Sequence, residues 1–232
     1  MNNALLQIKF KERLNKLASL DYDNIECWQI TEAFNKAQLE WVRRQVNGVN
    51  QLKAGDESSD MKIDDLQVLL TSQILTTAKH PTYNETEPLP DDYLYFKRMS
   101  AEAKTDCCPN RSVIAYLAAE ADVDNLLADV LRNPSVEWGE TFTTFIGNRA
   151  RIYTNGKFDV ENAKLTYYRK PRPISFYGCM DIATGTLTAN VECELKDDVT
   201  ELIIDDAVSI IAGDIESSNQ YARNKQNSNL NT

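Results

Sequence analysis

The chain has 232 residues and a formal net charge of −10, long enough for one large domain or one domain with an excursion. No run approaches the roughly eighteen uncharged apolar residues of a membrane span, and Lys9 and Lys11 arrive too early for a signal-peptide core, so a soluble, cytosolic chain is expected. The acidity removes any electrostatic reason to grip nucleic acid over the general surface; its commonest meaning is solubility.

Taken in order, Leu5 to Leu20 places Leu6, Phe10, Leu14 and Leu17 on one helical face. After a polar break at Asp21 to Asn24, Cys27 to Val46 carries a stripe of Ile30, Ala33, Phe34, Ala37 and Trp41. Arg43 and Arg44 sit at its dipole-favoured end, and Asn47-Gly48 stops it. Gln51 to Asp60 reads as a polar linker, Met61 to Leu66 as a short helix, and Gln67 to Thr77 as a strand. His80 to Pro90, with three prolines, reads as a long loop of the kind that often serves interaction. Asp91 to Phe96 predicts a helical turn leading into a strand from Arg98 to Asp106.

Ser112 to Leu117 predicts another strand, and Asp122 to Leu131 a short helix with Leu126, Leu127, Val130 and Leu131 inward. Asn133-Pro134 breaks it. Thr141 to Ile146 and Arg149 to Tyr153 are strands, and Thr154-Asn155-Gly156-Lys157 signals a type I′ hairpin. From Ala163 to Lys170 apolar and polar residues largely alternate, the period of a half-buried strand. Pro171 and Pro173 then end it or confine it to a sheet edge. Ser175 to Val191 suggests a loop or loose hairpin. Asp197 to Glu216 is a strong helix with an acidic start, apolar over more than one stripe and therefore expected to be flanked on two sides. Beyond Ser217 the Asn, Gln and Ser-rich sequence predicts a flexible tail.

Catalytic signals are sparse. The five cysteines, Cys27, Cys107, Cys108, Cys179 and Cys193, are odd in number and contain no C-x-x-C pair, which argues against a disulfide framework or a zinc site. All five are expected to be reduced. His80 stands alone in its loop, no phosphate-binding glycine loop occurs, and Asp64-Asp65, Asp91-Asp92 and Asp205-Asp206 sit where helix starts and solvated faces place acids. Neither an enzyme nor a cofactor or metal site is expected. Arg149, Arg151, Arg169, Lys170 and Arg172 form a basic cluster on β segments. It fits either a charge-guarded sheet edge or a surface that meets an acidic face of another subunit.

Several segments together resemble a known family. Ala37-Gln38-Leu39-Glu40-Trp41-Val42-Arg43, Ile63-Asp64-Asp65-Leu66, Leu89-Pro90-Asp91-Asp92-Tyr93, Tyr167-Tyr168-Arg169-Lys170-Pro171 and Glu201 to Ala207 are similar, in order and spacing, to elements of head-to-tail connector proteins of short-tailed bacteriophages. The likeness is to the ring or adaptor proteins of crAss-like phages and, more distantly, to the tubular tail adaptor of T7-like phages. Ser175 to Val191 has no counterpart there. The resemblance implies an α+β fold: a helical bundle from the N-terminal helices and the returning C-terminal helix, with an inserted antiparallel β-rich lobe. The implied divisions are 1–66, 67–195, 196–218 and a flexible tail 219–232. It also implies a virion structural protein, a dodecameric ring below the portal, through which genomic DNA passes without specific binding. Its partners would be identical subunits, the portal and adjacent tail proteins, with no membrane involved. A non-virion cytosolic assembly chaperone or interaction module is the alternative. The interface residues expected on this basis are Arg149, Arg151, Arg169, Arg172, Ile204, Ile211, Ile215, Tyr221 and Arg223.

Overall fold

The computed structural model describes residues 1–15, 25–47, 64–105, 108–180, 184–214 and 226. They form two compact units, one made of Leu69–Lys170 and the other of Met1–Val68 together with Pro171–Thr232.

The Leu69–Lys170 unit is a closed barrel of seven strands: β1 (Leu70–Lys79), β2 (Tyr83–Thr86), β3 (Tyr93–Thr105), β4 (Cys108–Leu117), β5 (Glu140–Ile146), β6 (Arg149–Tyr153) and β7 (Asp159–Arg169). Around the barrel the order is β1-β2-β6-β5-β4-β3-β7. Every pairing is antiparallel except β4 with β5. A parallel pair needs a crossover of about a dozen residues or more. The stretch from Ala118 to Gly139, with its helix α3 (Val123–Ala128), provides it. Strand alternation sends Leu75, Met99, Val113, Ile152 and Leu165 into the barrel, together with the small Ala101, Ala115, Ala150 and Ala163. Small residues opposite large ones let a narrow barrel fill its interior with side chains.

β7 is the spine of this unit. Its alternating Ala163, Leu165 and Tyr167 point inward, and it is paired along its length, with β1 on one side and β3 on the other. Tyr167 donates its hydroxyl to Asp92 Oδ1 at 2.8 Å. Burial first, and then this carboxylate, push its pKa up to about 12.

In the other unit, α1 (Asn3–Asn15) and α2 (Cys27–Asn47) precede the barrel, and α4 (Asp197–Asp214) follows it in sequence. Phe10 of α1 meets Phe34 of α2 at 5.4 Å between ring centroids, and Phe34 meets Phe176 edge-on at 6.0 Å. The extended segment after Pro171 is held by side-chain amides of α2. Asn35 accepts from Ile174 N at 2.7 Å and donates back to its carbonyl at 3.1 Å, and Gln38 donates to Arg172 O at 3.0 Å. Those bonds satisfy backbone groups that proline-rich sequence cannot pair in a ladder.

Several expectations are corrected. The molecule is mainly a seven-stranded closed barrel with a few helices, not a helical bundle carrying a β-rich lobe. The missing element was β2: Tyr83–Thr86, between Pro81 and Pro88, pairs with both β1 and β6, so the supposed long loop is part of the wall. β7 ends at Arg169, just ahead of Pro171, which cannot donate, but it is not an edge. The turn at Thr154 to Lys157 forms, with Asn155 and Gly156 at φ 50° and 69° and Lys157 N donating to Thr154 O. It does not join paired strands, however: β6 and β7 are separated by β2 and β1. Thr154 and Asn155 instead donate their backbone N–H groups to Thr82 O. The helix predicted to Leu131 stops at Ala128, and Val130 and Leu131 are 90% and 92% exposed rather than inward.

The cysteines are not all reduced. Cys27, at the start of α2, is disulfide-bonded to Cys179, with Cα atoms 5.7 Å apart. An odd total says nothing about one pair 152 residues apart in sequence, which only the fold brings together. Cys193 is free and buried. Leu17, Leu20, the linker to Asp60 and the tail beyond 217, apart from residue 226, lie outside the described residues.

Candidate functional site

The basic cluster divides between different surroundings. Arg149 and Arg151 lie on β6, and both face Glu85 of β2. Arg151 Nε is 3.1 Å from Oε1 and Arg149 Nη1 is 3.8 Å from Oε2. Arg151 also lies 4.9 Å over the Tyr83 ring, and Arg149 donates to Thr86 O. Glu85 thus partly neutralises both guanidiniums, and its hydrogen bond raises the Arg151 pKa. Arg169 ends β7, away from β6 in the barrel order, and donates to Lys170 O. Arg172 belongs to the other unit, where Glu194 binds both its backbone N and its Nε at 2.9 Å. The four arginines therefore do not make one patch on the barrel. Ile204 and Ile211 are buried, at 0% and 6% exposure, by residues of the chain itself. Ile215, Tyr221 and Arg223 lie outside the described residues.

The acid pairs have structural partners. Asp64 and Asp65 both bind Lys196 and raise its pKa. On α4, Glu201 takes Lys9 and Arg13 of α1, Asp205 takes Arg13 at 2.9 Å, and the buried Asp206 takes Arg44 of α2. His80 stacks on Tyr83 at 4.7 Å.

A polar cleft of about 590 Å³ opens at one barrel mouth. The β1–β7 ladder stops at Thr76 and Asn162, and the Val160 carbonyl beyond it accepts instead from Asn84 Nδ2 at 3.0 Å and from the Thr77 hydroxyl. Its lysines are engaged: Lys79 with Asp159 at 2.6 Å and Lys104 with Glu161 at 2.8 Å. The cleft presents paired charges.

The barrel also leaves large apolar side chains in water. Trp138 is 81% exposed, and Tyr116 and Leu117 at the end of β4 are each 52% exposed. Scattered exposed apolar residues are ordinary; large ones held out on hydrogen-bonded turns point to association. Sequence reasoning missed Trp138, although a tryptophan beside Gly139 in an acidic loop was a visible signal. Comparison with known proteins finds no matching family model and no matching curated protein.

Proposed function

We propose that this chain is a structural protein of a short-tailed phage particle, forming a ring in the connector between capsid and tail. The copies stand side by side below the portal, twelve in number as the sequence resemblance implies, and the genome passes through the ring without specific binding. The observation that carries this reading is the apolar surface on the barrel, exposed on a chain with net charge −10. Large rigid apolar side chains in water favour a partner, while the overall acidity disfavours adhesion to DNA phosphates. The order of the sequence segments resembling connector proteins names the assembly. The arginines of β6, already shared with Glu85, fit a surface that contributes local order rather than phosphate contacts.

Mass spectrometry of purified particles, with a symmetry-imposed map of the portal vertex, tests the reading. The chain is expected among the virion proteins, as a ring of density next to the portal. Its absence from intact particles would leave a cytosolic assembly chaperone as the standing alternative.

A further inference from the structure

We propose that the barrel carries the two complementary halves of a head-to-tail contact: the acidic apolar turns before β5 in one copy seat on the cation-flanked outer face of β1 and β7 in a second copy of this chain. The inference deepens the ring reading and rests on it for closure into a circle; the pairwise contact stands on the surfaces themselves.

The first half comprises Val130, Leu131 and Trp138, which are 90%, 92% and 81% exposed. Hydrogen bonds fix their backbone. Leu131 N donates to Asp129 Oδ1, Asn133 N to Asp129 O, and Asn133 Nδ2 to Leu127 O, each within 3.0 Å. Ser135 and Glu140 exchange backbone bonds of 3.0 and 3.1 Å, and Trp138 N reaches Ser135 Oγ. Between the two turns Pro134 is buried. The backbone that carries these side chains is thus already ordered, so covering them on a partner costs side-chain ordering but little loop ordering. The segment 120–140 holds six acids, among them Asp129, Glu137 and Glu140, and one base, Arg132.

The second half is the outer face of β1. Leu70 and Ile74 are 40% and 64% exposed. Ile74 lies opposite Lys164 of β7, and the next outward position on β7, Thr166, lies opposite Arg98 of β3. Lys164 and Arg98 are both exposed, and β1 itself contains no acid. One half is apolar with a mainly acidic surround, on which Lys157 reaches Asn133 and Pro134; the other is apolar with Lys164 and Arg98 beside it and Glu87 at the Thr76 end. Such halves attract each other and repel their own kind. Both halves belong to one chain, which makes a second copy the occupant that the charges select.

Position around the barrel adds to this. The turn at Asn133 is bonded to Asn155 and Lys157 just beyond β6, and β6 stands two strands from β1 and three from β7 in the closed order of seven, roughly 130° from the β1–β7 pair around a barrel of evenly spaced strands. Two different faces so far apart give a heterologous contact, which propagates and makes a ring where its rotation closes.

Sedimentation velocity of the full chain over a rising concentration series tests the contact, with circular dichroism to verify folding. Wild type is expected to form species larger than a dimer, in a salt-sensitive way. Leu131→Asp and Ile74→Asp, each alone, are expected to sediment as monomers. Mixed, they are expected to give a dimer and nothing larger, because each supplies the half the other lacks; Lys164→Glu replaces Ile74→Asp should that variant misfold. A wild type that stays monomeric throughout, or folded variants whose mixture stays monomeric, overturns the contact. If the mixture dimerises and the chain is absent from particles, the contact stands and the ring reading falls. If the chain is a virion protein and the mixture stays monomeric, the reverse holds.

Discussion

On α4 two carboxyl groups one helical turn apart are shifted in opposite directions. Burial pushes Glu201 up, but Lys9 and Arg13 outweigh it and hold the carboxyl below its ordinary value. Asp205 is pushed up, chiefly by burial, against the pull of Arg13. A depressed carboxyl contributes stability above its unfolded pKa and loses it as pH falls through the folded one; a raised carboxyl does the reverse and costs stability at neutral pH. At pH 7, Glu201→Gln is therefore expected to lower stability by about 1 kcal/mol, discounted for its partial exposure. Asp205→Asn should cost less than Glu201→Gln, or stabilise. Urea titrations at pH 7 and at pH 3 check this, and the Glu201→Gln deficit should shrink at the lower pH. Tyr167 gives an alkaline counterpart. Its pKa of about 12 means that its contribution is complete below pH 10 and is lost as pH rises through 12. Tyr167→Phe is expected to remove about 1 kcal/mol at neutral pH and to leave the ultraviolet titration with one fewer late-ionising tyrosine. Neither behaviour was legible in the sequence, because a pKa depends on which side chains the fold brings near.

Among the elements, the turn at Asn155-Gly156 is the clearest case of a local signal serving a non-local purpose. Gly156 lies at φ +69°, and a Cβ there would meet Pro81 O at 3.3 Å. Gly156→Ala is expected to destabilise by about 1–2 kcal/mol, read as a lowered melting temperature. The sequence specified the turn, since positive φ at both centres favours Asn-Gly. It did not specify the strands beside it: β2 takes β6 as its neighbour, and β1 takes β7. The disulfide teaches the same lesson. Cys27–Cys179 closes a loop of 152 residues, for which chain entropy predicts roughly 4–5 kcal/mol. Reductant is expected to lower the melting temperature of wild type and to leave that of Cys27→Ala unchanged.

For the whole molecule, the barrel enters and leaves through adjacent strands. Leu70 pairs with Tyr168, so the unit Leu69–Lys170 begins and ends side by side. Expressed alone, it is expected to fold, giving dispersed amide resonances and a cooperative melt; a collapsed spectrum without dispersion would refute its independence. An inserted unit with a closed wall has its core bonds within itself, which is what autonomous folding requires.

The sequence by itself determined the helices α1, α2 and α4, most of the strands, the stop at Pro171 and the Asn-Gly turn. All of these follow from periodicity and backbone chemistry over a few residues. Tertiary structure alone decided that the strands close into a barrel, that a four-residue run between prolines completes its wall, and that Cys27 finds Cys179. It also decided that Val130 and Leu131 face water. Closure and exposure depend on pairings across long sequence separations, and local patterning carries no record of which distant partner wins.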